Sequence, residues 1–146
     1  MARSDTTSLD LQLRSDPACI APARQAVEEF CTLVGLDAHA IAEVGLCVNE
    51  AIANIIRHAY DGASDRPIHL TAVADDGKVT VRLRDWGKGV NPHAVAKPKR
   101  DPLRPGGLGL ICITRMMDDV EYEPQQDGML LTMTRYRKRP QARQVG

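Results

Sequence analysis

A chain of 146 residues suits one domain of ordinary size, long enough to bury an apolar core without disulfides or structural metal. Hydrophobic residues make up 43% and charged residues 26%, with aromatics at only 3%, so Leu, Ile, Val and Ala must fill most of the core. The formal net charge is zero, which argues against a general binder of nucleic acid or anionic membranes, because such proteins carry a basic excess.

LDLQLR (9–14) alternates apolar and polar residues, the pattern of a half-buried strand. Asp16-Pro17 offers an N-cap and an early helical proline. Ile20, Ala23, Val27, Phe30 and Val34 then recur at helical spacing, and Gly35 supplies a stop. A second helix is expected from Asp37 to about Tyr60, with the apolar stripe Ile41, Val44, Val48, Ile52, Ile55 and Ala59, ended by Asp61-Gly62. PIHLTAVA (67–74) and KVTVRLRD (78–85) flank Asp75-Asp76-Gly77 as a hairpin. A helix over about Leu108–Met117 follows a long Pro/Lys/Arg-rich segment, and VEYEP (120–124) with GMLLTMTRYR (128–137) makes a final strand pair. Strands in hairpins and helices in consecutive pairs predict an α+β, two-layer sandwich with helices on one face of a mixed sheet. Residues 1–138 are expected to form a single domain, and 139–146 a disordered basic tail.

No apolar run approaches the roughly 20 residues that span a bilayer. The N-terminal MARSDTTSLDLQLRSD lacks the apolar stretch of a signal peptide. Cys19, Cys31, Cys47 and Cys112 are scattered, show no CxxC spacing, and lie in or beside apolar helical patterns. They read as reduced, mostly buried thiols rather than a zinc site, and a cytoplasmic location is expected.

Three segments carry candidate chemistry. In EVGLCVNEAIANIIRHAY (43–60), Glu43, Cys47, Glu50, Asn54 and His58 line one helix face opposite the apolar stripe. Glu50 and Asn54 are one turn apart, so a carboxylate and a carboxamide point the same way. Such a pair can hold a hard cation such as Mg²⁺, and the carboxylate can accept a hydroxyl proton. A plain solvated face is the alternative, but such a face uses Lys, Glu and Arg more than Asn, a poorer helix former.

In RDWGKGV (84–90) a strand ends at Asp85, and Gly87 and Gly89 follow. Glycines there let a ligand approach the backbone, and an Asp can accept a hydrogen bond from an exocyclic amine such as that of adenine. In RPGGLGL (104–110), Gly106, Gly107 and Gly109 stand where a helix begins, and free N–H groups at a helix start bind anions. Lys97, Lys99, Arg100 and Arg104, interleaved with prolines, read as a basic lid in front of that turn. The segment is neither a GxxxxGK[ST] P-loop nor a dinucleotide fingerprint. Turns and an exposed loop without a ligand are the alternative for both.

In this order, NEAIANIIRHAY resembles the N-box of the GHKL (Bergerat-fold) ATPases, RDWGKGV their DxGxG box, and RPGGLGLICITRMMD their glycine-rich phosphate box. More narrowly, EAxxNxxRHAY and GGLGLxxxxxxMDxVEY are similar to the bacterial anti-sigma-factor serine/threonine kinases of partner-switching systems. The resemblance spans almost the whole chain. It implies a mixed, mainly antiparallel sheet with helices on one face, and ATP bound between helices and lid. It implies Asn54 as the ligand of Mg²⁺ bridging the ATP phosphates, and Glu50 as the general base for the attacking serine. Asp85 would bind the adenine amine, with Gly87 and Gly89 making room for the base. Gly106, Gly107, Leu108, Gly109 and Leu110 would cradle phosphate through backbone amides, with Arg104 beside them, and Arg57 and His58 would contact phosphate or shape the pocket.

The phosphate box departs from the wider pattern, with GGLG where GxGxG is common. The short span between boxes leaves no room for a separate substrate domain, which favours the protein-serine-kinase branch. The implied activity is phosphorylation of a STAS-type anti-anti-sigma protein by a kinase that also holds a sigma factor, as a homodimer, with no direct nucleic-acid or membrane partner. A nucleotide-dependent binding module with little or no catalysis is the competing expectation, and a structural domain without nucleotide a third.

Overall fold

A computed structural model of the chain describes residues 7–88 and 113–137. Strand β1 (Thr7–Arg14) leads through a single 3₁₀ turn (Pro17–Cys19) into helix α1 (Ile20–Leu33). Helix α2 (Ala38–Asn54) follows and continues as a π-helical segment (Ile55–Ala59). Strands β2 (Pro67–Asp75) and β3 (Lys78–Asp85) form a hairpin; after a helical turn at 113–116 come β4 (Asp119–Pro124) and β5 (Met129–Tyr136).

The local signals act as expected. Asp16 accepts the Ala18 N–H at 2.9 Å, with Pro17 opening the 3₁₀ turn. Helix α1 closes in a Schellman arrangement: Gly35, at φ 95°, sends its N–H to Thr32 O, and the Leu36 N–H reaches back to Cys31 O. Leu36 is buried against the core it has just capped. Asp37 accepts the Ala40 N–H at 2.8 Å and starts α2. In the β2–β3 turn Asp76 and Gly77 both have positive φ, 47° and 73°, which a two-residue hairpin needs to match strand twist.

The strands form one sheet in the order β1-β2-β3-β5-β4, and every pairing among the described residues is antiparallel. Alternation along each strand puts Ile68, Leu70, Ala72, Val79, Val81, Leu83, Leu131 and Met133 on one face, all buried. Against them pack Ala23, Val27, Phe30 and Cys31 of α1 and Val44, Val48, Ala51 and Ile52 of α2, in a single core. The opposite face carries Thr71, Thr80, Arg82, Thr132 and Thr134, none of them buried. The result is the expected two-layer α+β sandwich.

The helical stretch Ala38–Ala59 is 22 residues long with hydropathy 1.2, enough by length and composition to cross a membrane, yet 56% of its most apolar window is buried inside the fold. It is the central core helix. Two expectations change along it. Cys47, assigned from spacing to the polar face, is fully buried, because the apolar stripe is wider than a narrow seam and takes in its position. The last turn is not α-helical: the Tyr60 N–H bonds Ile55 O and the Gly62 N–H bonds Ile56 O, which widens the helix immediately after Asn54.

Candidate functional site

The polar residues of α2 emerge toward its C-terminal end. Glu50 is half-buried, and no hydrogen bond or ion pair among the described residues engages its carboxylate. Asn54, one turn on, ends α2. Among the described residues its Oδ1 accepts a single long 3.4 Å bond from Arg57 Nη1, and its Nδ2 is buried with no partner. An orphaned buried donor is costly in a finished structure. A phosphate oxygen would satisfy it, while Oδ1 keeps lone-pair capacity for a hard cation. The pair therefore fits a Mg²⁺-phosphate group.

Arg57 is exposed, and His58 is half-buried. Burial lowers the His58 pKa, the Arg57 charge lowers it further, and Asp61 opposes both. Its imidazole is thus held toward the neutral form.

Asp85 ends β3 on the core side of the sheet and is only 4% exposed. Its Oδ1 accepts the Gly87 N–H at 2.9 Å. Burial raises its pKa, while the amides of Gly87 and Met129 and the Arg84 charge act in the other direction. A carboxylate held in place at a sheet end is a rigid hydrogen-bond acceptor.

The structure stitches this loop to the end of α2. The Lys88 N–H donates to Ala59 O at 3.1 Å, and Lys88 Nζ pairs with Asp61 at 3.0 Å. A Cβ on Gly87 would lie 2.4 Å from Ala59 O, so close approach of the helix end already requires glycine there. Sequence reasoning assigned that glycine to making room for a base; the described contact is with the helix. Gly89, Arg104, Gly106, Gly107, Leu108, Gly109 and Leu110 lie outside the described residues, as do the basic lid positions 97–100 and the start of the helix expected from Leu108.

Two residues that sequence reasoning passed over hold the frame. Arg135 is 4% exposed on the core side of β5, where its Nη1 donates to Glu43 Oε1 at 2.5 Å and to Met116 O at 2.8 Å. It thereby ties α2 to the helical turn at 113–116. Strand parity marks it, because Leu131, Met133 and Arg135 alternate onto one face. The other is Tyr60, whose hydroxyl lies between Pro67 O and the Trp86 N–H.

Residues 13–135 match the model of a family described as the histidine kinase-like ATPase domain. The chain belongs to this family. Similar curated members include serine-protein kinase RsbW of Listeria monocytogenes, 29% identical over 137 residues covering 88% of this chain and 86% of the relative. The anti-sigma F factor of Heyndrickxia coagulans is 35% identical over 88 residues, 55% of this chain and 58% of the relative. Among solved structures, the RsbU and RsbW domains of a Mycobacterium tuberculosis protein align at TM-score 0.62 and 18% identity, covering 89% of this chain but only 32% of that one. A chain of the SiaB–SiaC complex of Pseudomonas aeruginosa aligns at TM-score 0.64 and 14% identity, over 86% and 88% of the two chains. At these identities the two structures speak for the fold alone. As a histidine kinase-like ATPase domain, the chain places its α2 and post-β3 residues at the same end of the sandwich.

Proposed function

We propose that this chain is an ATP-dependent serine/threonine protein kinase that phosphorylates a STAS-type anti-anti-sigma protein and acts as an anti-sigma factor in a partner-switching system. The observation that carries the reading is the family match across residues 13–135, joined to a Glu50 carboxylate without a partner among the described residues, one turn before an Asn54 carboxamide whose Nδ2 is buried and unpartnered there. The relatives named serine-protein kinase and anti-sigma F factor supply the acceptor class and the regulatory role. The SiaB–SiaC complex shows a similar fold solved together with a second protein, in keeping with a partner switch.

In the proposed reaction Glu50 takes the proton of the acceptor hydroxyl. The hydroxyl oxygen bonds to the γ-phosphorus of ATP, the bond from that phosphorus to the β,γ-bridging oxygen breaks, and ADP leaves. Asn54 would hold Mg²⁺, which when bound offsets the charge of the phosphate oxygens. Asp85 orients the adenine by accepting from its exocyclic amine, with Gly87 and Gly89 beside it. Arg57, His58 and Arg104 would border the phosphates, and Gly106, Gly107, Leu108, Gly109 and Leu110 would offer backbone N–H groups to them. The single domain over 1–138, a homodimer, sigma-factor binding and a cytoplasmic location belong to the same proposal.

The test is incubation with labelled ATP and a panel of STAS proteins from the same genome, followed by mapping of the labelled residue. Glu50→Gln is expected to bind ATP at near wild-type strength and to lose about 10²–10⁴-fold in transfer rate. Transfer near the wild-type rate in that variant would remove Glu50 from the base role. Tight ATP binding by the wild-type chain with no transfer to any acceptor would favour the non-catalytic binding module.

A further inference from the structure

We infer that Tyr60 is a positioning residue for the base end of the nucleotide site, its hydroxyl clamping both flanks of Asp85 onto the end of the helix that carries Glu50 and Asn54. The inference rests on the reading of Asp85 as the group that meets adenine. Tyr60 is 8% exposed, directly after the π segment. Its hydroxyl donates to Pro67 O at 2.6 Å and accepts from the Trp86 N–H at 2.8 Å. A phenol has one proton to give, so both of these bonds are committed to backbone.

The two backbone partners are not arbitrary. Pro67 opens β2 and precedes Ile68, which lies directly opposite Asp85 in the sheet, and Trp86 follows Asp85 in the chain. One hydroxyl therefore fixes the strand beside Asp85 and the residue after it. The bond from the Lys88 N–H to Ala59 O and the close approach of Gly87 to Ala59 complete the same junction. Burial pushes the Tyr60 phenol above its ordinary range, so it stays a donor at physiological pH.

A clamp on Asp85 acts on a ligand's base and not on its phosphates, and that separates positioning from general structural support. The full-length chain is titrated with ADP and, separately, with inorganic tripolyphosphate, both with Mg²⁺. Trp86, the only tryptophan, serves as the emission probe for the loop. Tyr60→Phe is expected to bind ADP about tenfold more weakly, to alter Trp86 emission before nucleotide is added, and to bind tripolyphosphate as the wild type does. Tyr60→His, which keeps a hydrogen-bonding ring at the junction, is expected to lie between the wild type and Tyr60→Phe for ADP and to match the wild type for tripolyphosphate; if Tyr60→Phe does not fold, equal weakening of both ligands or unchanged ADP binding in Tyr60→His overturns the inference. Equal weakening of both ligands, or unchanged ADP binding, overturns the inference. Asp85→Asn separates the two ideas. Wild-type ADP binding in that variant sinks the reading of Asp85 itself; weak binding there with normal binding in Tyr60→Phe sinks only the role of Tyr60.

Discussion

Asp85 carries a stability cost in the nucleotide-free protein. Its carboxylate is withdrawn from water at the end of β3, and desolvation raises its pKa despite the amides of Gly87 and Met129. The folded-state value lies above the unfolded one, so the group's stabilising contribution is complete at acid pH, below the unfolded value. It is lost as pH rises through the raised folded value. Asp85→Asn keeps the shape and an acceptor for the Gly87 N–H but removes the charge. The variant is expected to be more stable than the wild type near neutral pH, with the difference narrowing as pH falls, and to bind nucleotide more weakly. Urea unfolding at neutral and mildly acidic pH measures both slopes; a difference independent of pH would show that the carboxylate's charge is not the cause. A group retained at a cost to folding is what a binding role leaves behind.

Among the elements, α2 depends on its ends. Asp37 holds the Ala40 N–H at the N-terminus, and Asp37→Ala is expected to cost about 1 kcal/mol, read as a lowered urea midpoint with an unchanged slope. Wild-type stability in that variant would mean that packing alone fixes the start of the helix. The helix start at Asp37, the Gly35 stop and the Asp76-Gly77 turn were all legible in the sequence, because each depends on a residue type at a fixed offset. The π segment was not. Ile55, Ile56, Ala59 and Tyr60 are all buried, and an apolar cluster of that kind fits an ordinary last turn as well as a widened one. Tyr60 read as the end of a helix, since its partners Pro67 and Trp86 come from across the β2–β3 hairpin. Gly87 was marked as making room for a ligand's base, whereas its described neighbour is Ala59, 28 positions away in sequence and brought there only by the fold. Glu50 and Asn54 lie on α2 and Asp85 ends β3, placements that helix spacing and the strand pattern predicted.

At the scale of the whole molecule, the site depends on elements distant in sequence being held at one end of a two-layer sandwich. The sheet order places β5 between β3 and β4, and from there Arg135 reaches Glu43 on α2 and the backbone of Met116. The pairing of β3 with β5 is non-local, so neither the strand order nor this ion pair could be read from periodicity. A ligand bridging Asn54 on one element and Asp85 on another binds only the folded arrangement, and it must therefore stabilise the chain as a unit. At 100 times its Kd such a ligand adds about 2.7 kcal/mol. For a domain of this size that is about 5–10 °C in unfolding midpoint. Mg²⁺-ATP is expected to produce this rise, and chelation of the metal to reverse most of it. If Asp85 meets the base and Asn54 holds the metal, Asn54→Ala should retain a smaller shift, similar with and without Mg²⁺. A wild-type midpoint that does not move at millimolar Mg²⁺-ATP would refute nucleotide binding by the fold. An Asn54→Ala protein with the full metal-dependent rise would take the cation away from Asn54 while leaving the nucleotide in place.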